Sequence, residues 1–168
     1  VSAASPTSAI TGNTINTFNS SGNGSTIYGI FISGGTSVNA SANTIHTLSG
    51  TGLGAASANG LLIAASGSIA TISKNRIYNL VQVNSPGVAN PLVNGMVLQV
   101  GSNVTVSNNF ISDLKAPLAN IADAIRGINV NSTTGGSTFN IYYNSVYLNA
   151  TSAGANFGTS AIFHTGNI

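Results

Sequence analysis

The stretch GLLIAASGSIATISKNRIYNL, residues 60–80, decides the fold. Leu61 and Ile63 are one residue apart, as are Ala70 and Ile72, and Ile77 follows Asn75 at the same interval. Apolar residues at every second position mark a β-strand with one buried face. The pattern is not local. Its asparagine recurs as Asn13, Asn43, Asn75, Asn109 and Asn144, at steps of 30, 32, 34 and 35 residues. Two places after each stand Ile15, Ile45, Ile77, Ile111 and Val146, and three places before each stand Ile10, Ala40, Ile72, Val106 and Ile141. Four repeats add an apolar residue two places earlier still: Val38, Ala70, Val104 and Phe139.

A second unit lies between these, as YGIFIS, NGLLIA, NGMVLQ and RGINVN, with a weaker fifth copy in SAIFHT. Its glycines are Gly29, Gly60, Gly95 and Gly127, with Ala161 in the fifth place, and an apolar pair follows each glycine, as Ile30 with Ile32 and Met96 with Leu98. The spacing predicts three strands per repeat: one after a glycine corner, a second ending at the asparagine, and a third beyond it. A repeat of this length signals a solenoid, whose units bury their apolar faces against each other. Helices match poorly, because Val, Ile, Thr, Asn and Gly dominate, Glu is absent and no 3.6-residue stripe persists. The most helix-like stretch, APLANIADAIRG at 116–127, falls between units and reads as a loop with room for one helical turn.

Like strands with no hairpin signal between repeats stack in parallel from coil to coil. The expected fold is all-β, a single-stranded parallel β-helix (β-solenoid) of about five coils, ~24 Å tall at ~4.8 Å per coil. The asparagines then form an inward ladder at one corner, each amide satisfying backbone groups and the amide of its neighbour. A competing reading makes each asparagine a turn marker that tolerates left-handed geometry.

The repeats GLLIAASGSIATISKNRIYNL and GMVLQVGSNVTVSNNFISDL resemble those of right-handed parallel β-helix proteins of the pectate-lyase-like superfamily. NIYYNSVYLNATSAGANFGTSAIF is similar to repeats in large secreted bacterial surface proteins. The resemblance covers nearly the whole chain and implies a right-handed coil with an asparagine ladder. For enzymes of that superfamily it also implies clustered aspartates that act on acidic polysaccharides directly or through calcium. This sequence departs from that pattern: its only acids, Asp113 and Asp123, fall at different positions of the repeat.

Of the 168 residues, 42% are hydrophobic and 4% charged, with a formal net charge of +2 and no cysteine. That suits one β-solenoid domain over 1–168, or a segment of a longer solenoid. Four cations and two acids make no basic patch, so nucleic acid is not an expected partner. No apolar run reaches the ~18 residues of a membrane span, and without cysteine there is neither a disulfide nor a thiolate metal site. Asp113 is expected to pair with Lys115, and Asp123 with Arg126. His46 is expected to point outward beside Tyr78, and His164 to take the inward place of Ile32 and Ile63; the two histidines do not stand at metal spacing. No catalytic residue, cofactor or metal is therefore expected. A composition rich in Asn, Ser, Thr and Gly and poor in Lys and Glu leans toward an extracellular or cell-surface location.

Two surfaces remain. The outer coils of such a stack expose strand edges, and the partial coils at the two ends complement each other, since running Ile168 of one copy into Val1 of the next keeps the asparagine spacing close to its internal steps. Laterally, Phe31, Leu62, Val97 and Phe163 face outward, interrupted by Asn129, as an apolar strip. That strip is a candidate interface, or is covered by a loop such as 81–92. The function read from these features is that of a structural, self-associating subunit or module of an extracellular filament, appendage or adhesin. Its partners would be other copies of itself. The alternative is a polysaccharide-binding or polysaccharide-cleaving β-helix, with glycans stacking on Tyr78 and Tyr147.

Overall fold

In the computed structural model, which describes residues 7–54, 56–65, 68–83, 93–99, 101–132 and 135–165, the chain winds repeatedly through three parallel β-sheets. The first layer holds β1 (Ser8–Thr11), β2 (Thr14–Ser20) and β3 (Thr26–Ile32), and the second β4 (Ser37–Ser41), β5 (Thr44–Gly50) and β6 (Ser57–Ile63). The third holds β7 (Ile69–Ser73), β8 (Arg76–Gln82) and β9 (Val93–Leu98). In the fourth, β10 (Asn103–Ser107) and β11 (Phe110–Ser112) are followed by the short β12 (Leu114–Lys115) and by β13 (Ile125–Val130). The fifth holds β14 (Thr138–Tyr142), β15 (Ser145–Tyr147) and β16 (Thr159–His164). The sheets run β1-β4-β7-β10-β14, β2-β5-β8-β11-β15 and β3-β6-β9-β13-β16, with β12 also paired to β8. All the pairs are parallel. This is a parallel β-solenoid five strands deep, with about four turns between its first and last layers.

Register follows the repeat. Ile15, Ile45, Ile77, Ile111 and Val146 stack as one column, and Ile10, Ala40, Ile72, Val106 and Ile141 as a second. Ile30, Leu61, Met96, Ile128 and Ile162 form a third, and the middle members of all three columns are buried. Each large aliphatic in these columns contributes about 1.5–3 kcal/mol by leaving water. A slip of one residue would turn every such side chain outward, which pins the register.

Strict alternation fails at two places in each of the first four layers, and both are bends. In the second sheet the inward Ile45 is followed by the inward Leu48, because Thr47 between them is left-handed, with φ of 56°. Thr17, Asn79 and Asp113 repeat that conformation at 60°, 54° and 52°. In the third sheet the inward phase jumps from Ala58 to Leu61 across Gly60. The glycines therefore do not precede their strands, as the spacing suggested, but sit inside β3, β6, β9 and β13. Close approach explains why. A Cβ on Gly60 would lie 2.5 Å from Ile77 Cγ2 of the second sheet and 2.5 Å from the Gly95 carbonyl oxygen. Since these layers bend at the same place, the pairing continues on both sides.

Residues 116–124 form a loop, with turns but no helix, that packs Ala116, Ala119 and Ala124 into the core; its C-terminal end enters β13. Of the segment 81–92, residues 84–92 lie outside the described residues.

Candidate functional site

Two rows of amides organise the molecule. The inner row comprises Asn13, Asn43, Asn75, Asn109 and Asn144, at the corner between the first and second sheets. The turn there is made by the preceding residue: Gly12, Ala42, Lys74, Asn108 and Tyr143 all have φ between 55° and 68°. The asparagine itself is thus freed from the turn-marker role and points its side chain along the stack. Each Nδ2 donates to the Oδ1 of the next layer, over 3.0 Å from Asn13 to Asn43 and 2.9 Å in the three steps beyond. Each backbone N–H donates to that same Oδ1 at 2.9–3.0 Å. The second Nδ2 hydrogen of Asn43, Asn75, Asn109 and Asn144 goes back to the carbonyls of Ile10, Ala40, Ile72 and Val106. The buried amides thereby satisfy corner groups that the sheets leave open, and the expected ladder is present.

The outer row was not anticipated. On the outward face of the third sheet, Asn94 Nδ2 donates to Asn59 Oδ1 at 2.7 Å and Asn129 Nδ2 to Asn94 Oδ1 at 3.1 Å. All three asparagines are buried. The polarity of this row is reversed: its donors point toward the first layer, whereas those of the inner row point toward the last. Ser57 Oγ accepts from Asn59 Nδ2 at one end, and Arg126 Nη1 donates to Asn129 Oδ1 at 3.4 Å at the other. The repeated Asn-Gly of NGLLIA and NGMVLQ was the available sequence signal.

The same face carries the residues expected to form a lateral strip. Phe31 is 53% exposed and stacks on Tyr28 at 5.1 Å, whereas Leu62 and Val97 are only 7% and 6% exposed. Phe163 lies under the Arg126 guanidinium, 3.3 Å from its ring centroid. These four residues share a column, but its two middle members are withdrawn from solvent, so they form no continuous free strip. Leu62 and Val97 are among the ten residues, all uncharged, that line a groove of about 300 Å³.

The charged and aromatic residues are placed as follows. His46 and Tyr78 face outward and stack at 4.9 Å with planes 5° apart, as alternation implied, while Arg76 lies 5.7 Å from the Tyr78 ring centroid. His164 pairs in register with Val130, in the column of Ile32 and Ile63, and is exposed in the last layer. Lys115 Nζ meets Asp113 Oδ1 at 2.6 Å, the expected pair. Asp123 instead accepts from Ser160 Oγ, and no Asp123–Arg126 ion pair forms. Burial pushes the Arg126 guanidinium below its ordinary value, with the Asp123 charge opposing. Asp113 and Asp123 have different partners and do not share an ion pair or hydrogen bond.

Among the described residues no three His, Asp or Glu side chains gather in a metal-binding group, and no helix is long and apolar enough to cross a membrane. Comparison with protein-family models, with curated proteins and with solved structures finds no match, so the arrangement of strands and amides is what characterises this chain.

Proposed function

We propose that this chain is a structural, self-associating β-solenoid subunit or module of an extracellular filament, appendage or adhesin, with copies stacked end to end in one direction and no catalytic role. The observation that supports this reading is the polarity of the inner ladder. The Oδ1 of Asn43, Asn75, Asn109 and Asn144 each accepts from the preceding layer, so that among the described residues Asn13 Oδ1 has no donor and the Asn144 N–H no acceptor. A second copy placed first layer onto last layer would bring the Asn144 N–H to the partner copy's Asn13 Oδ1, and would let Asn144 Nδ2 exchange its 3.1 Å bond to the Tyr142 carbonyl for that same oxygen. Reversed stacking would oppose like groups. Such a contact is heterologous and leads to open filaments. With only 4% charged residues, little repulsion opposes it.

The test uses the exposed ends of the core columns: Ile162, 55% exposed in the last layer, and Phe18, 51% exposed in the first. Ile162→Lys and Phe18→Lys each spoil one end. Sedimentation and electron microscopy should show rods for the unsubstituted chain, monomers for either variant alone, and dimers that grow no further in an equimolar mixture. Discrete monomers of the unsubstituted chain at high concentration would sink the proposal.

A further inference from the structure

We infer that end-to-end stacking is gated by pH through His164, which the junction between copies would bury without a counter-charge; this rests on the stacking reading and adds its regulation. The fifth copy of the glycine unit departs from the others where it ends. Ile32, Ile63, Leu98 and Val130 form one inward column, each at most 5% exposed, and His164 closes it, exposed in the last layer. Partners in a parallel ladder point to the same face, so the imidazole follows Val130 toward the core side. Placing first layer onto last layer sets the partner copy's Ile32 against it, one strand spacing of about 4.8 Å away.

Nothing at that junction offers a protonated imidazole a partner. Residues 1–41, which include the whole first layer, contain no Asp, Glu, Lys, Arg or His, and residues 127–168 contain none besides His164. Among the described residues β16 pairs with β13 alone, whose charged residue, Arg126, lies on the outward side over the Phe163 ring. Asp123 is held by Ser160. Tyr142 and Tyr147 follow the inward Ile141 and Val146 and so point away from the core. Phe139 and Ile141 of the last layer, and Ile10 and Ile15 of the first, present apolar side chains to the core. In a free copy His164 is exposed, and either form of the ring is hydrated. In the stack the neutral ring sits among aliphatics, whereas the charged ring loses its water with no carboxylate to offset the cost. Stacked copies therefore bind fewer protons than free ones, so stacking is strongest at high pH and is lost as pH falls. One proton per junction weakens association by up to about tenfold per pH unit. Histidine is the side-chain type that changes charge between about pH 5 and 8, which is the window of the test.

The experiment follows sedimentation and electron microscopy of the whole chain from about pH 8 to about pH 5. The unsubstituted chain should form rods at the upper end, and the concentration needed for rods should rise about tenfold or more toward the lower end. His164→Leu should form rods at both ends of the range, and at lower concentration. His46→Gln removes the other histidine, an outward residue of the second layer, and should leave the pH response intact. The inference is overturned, and the stacking reading kept, if unsubstituted rods form equally well at both ends, if His164→Leu keeps the pH response, or if His46→Gln abolishes it. Rods absent from all three chains at every pH would overturn both.

Discussion

Asn75 sits in the middle of the inner ladder, and replacing it with alanine removes four side-chain hydrogen bonds. Its Nδ2 donates to Asn109 Oδ1 and to the Ala40 carbonyl, each at 2.9 Å. Its Oδ1 accepts from the Asn43 N–H at 3.0 Å and from Asn43 Nδ2 at 2.9 Å. Asn109 Oδ1 keeps the backbone N–H of residue 75, but the Asn43 N–H, one Asn43 amide hydrogen and the Ala40 carbonyl lose their partners. A buried polar group left unsatisfied costs about 1–3 kcal/mol, so three of them cost about 3–6 kcal/mol once partial relaxation is allowed. In a chain of this size each kcal/mol lowers Tm by roughly 2–4 °C, giving a fall of roughly 6–24 °C. Asn13→Ala provides the contrast. Asn13 is exposed, its Oδ1 accepts no hydrogen bond from the described residues, and its loss should cost less than about 1 kcal/mol. Thermal melts followed by circular dichroism compare the two. Equal shifts at 75 and 13, or a negligible shift at 75, would refute the reasoning that the ladder holds the corner together.

Three further outcomes follow from the same geometry. Gly60→Ala should lose about 1–3 kcal/mol by overpacking against Ile77 and the Gly95 carbonyl, whereas Gly34→Ala, which meets open space, should stay within about 0.5 kcal/mol in urea denaturation. Lys74→Gly should gain about 0.5–1 kcal/mol in the same assay, because Lys74 is held at φ 57° where the first layer already has Gly12. Asn75→Asp should be destabilised at neutral pH, since a carboxylate there faces the Ala40 carbonyl and Asn109 Oδ1 without a hydrogen to donate. Burial among acceptors raises its folded-state pKa, so stability is greatest below the unfolded value of ~3.9 and is lost as pH rises through the folded value. Melts from about pH 4 to pH 7 should show this variant losing Tm relative to the parent.

The architecture was legible because the interval of the asparagine and its flanking aliphatics is a register, and register is what parallel stacking needs. Ile45, Ile77 and Ile111 stack because they must bury the same face. The bends were less legible. Thr17, Thr47, Asn79 and Asp113 share a left-handed backbone but no residue type, so no compositional signal marks them. The glycines were visible, but their place inside the strand depends on Ile77 and its equivalents in another sheet, a contact that spacing along one unit does not reveal. The outer amide row was missed for a related reason: Asn129 lies in the column of Leu62 and Val97, and Asn59 and Asn94 in another, so the row crosses columns. Likewise, alternation placed Leu62 and Val97 on the outward face correctly but said nothing of their burial there.

Parallel stacking is tested most directly by a distance between two residues far apart in sequence and in one column. Thr14 and Ser145 are joined through Thr44, Arg76 and Phe110, four strand spacings apart. The chain has no cysteine, so a double cysteine variant at these positions can be spin-labelled cleanly. Pulsed electron resonance should give a single narrow distance centred near the ~19 Å that four spacings of ~4.8 Å imply. A much longer distance, or a broad spread of distances, would contradict the stack.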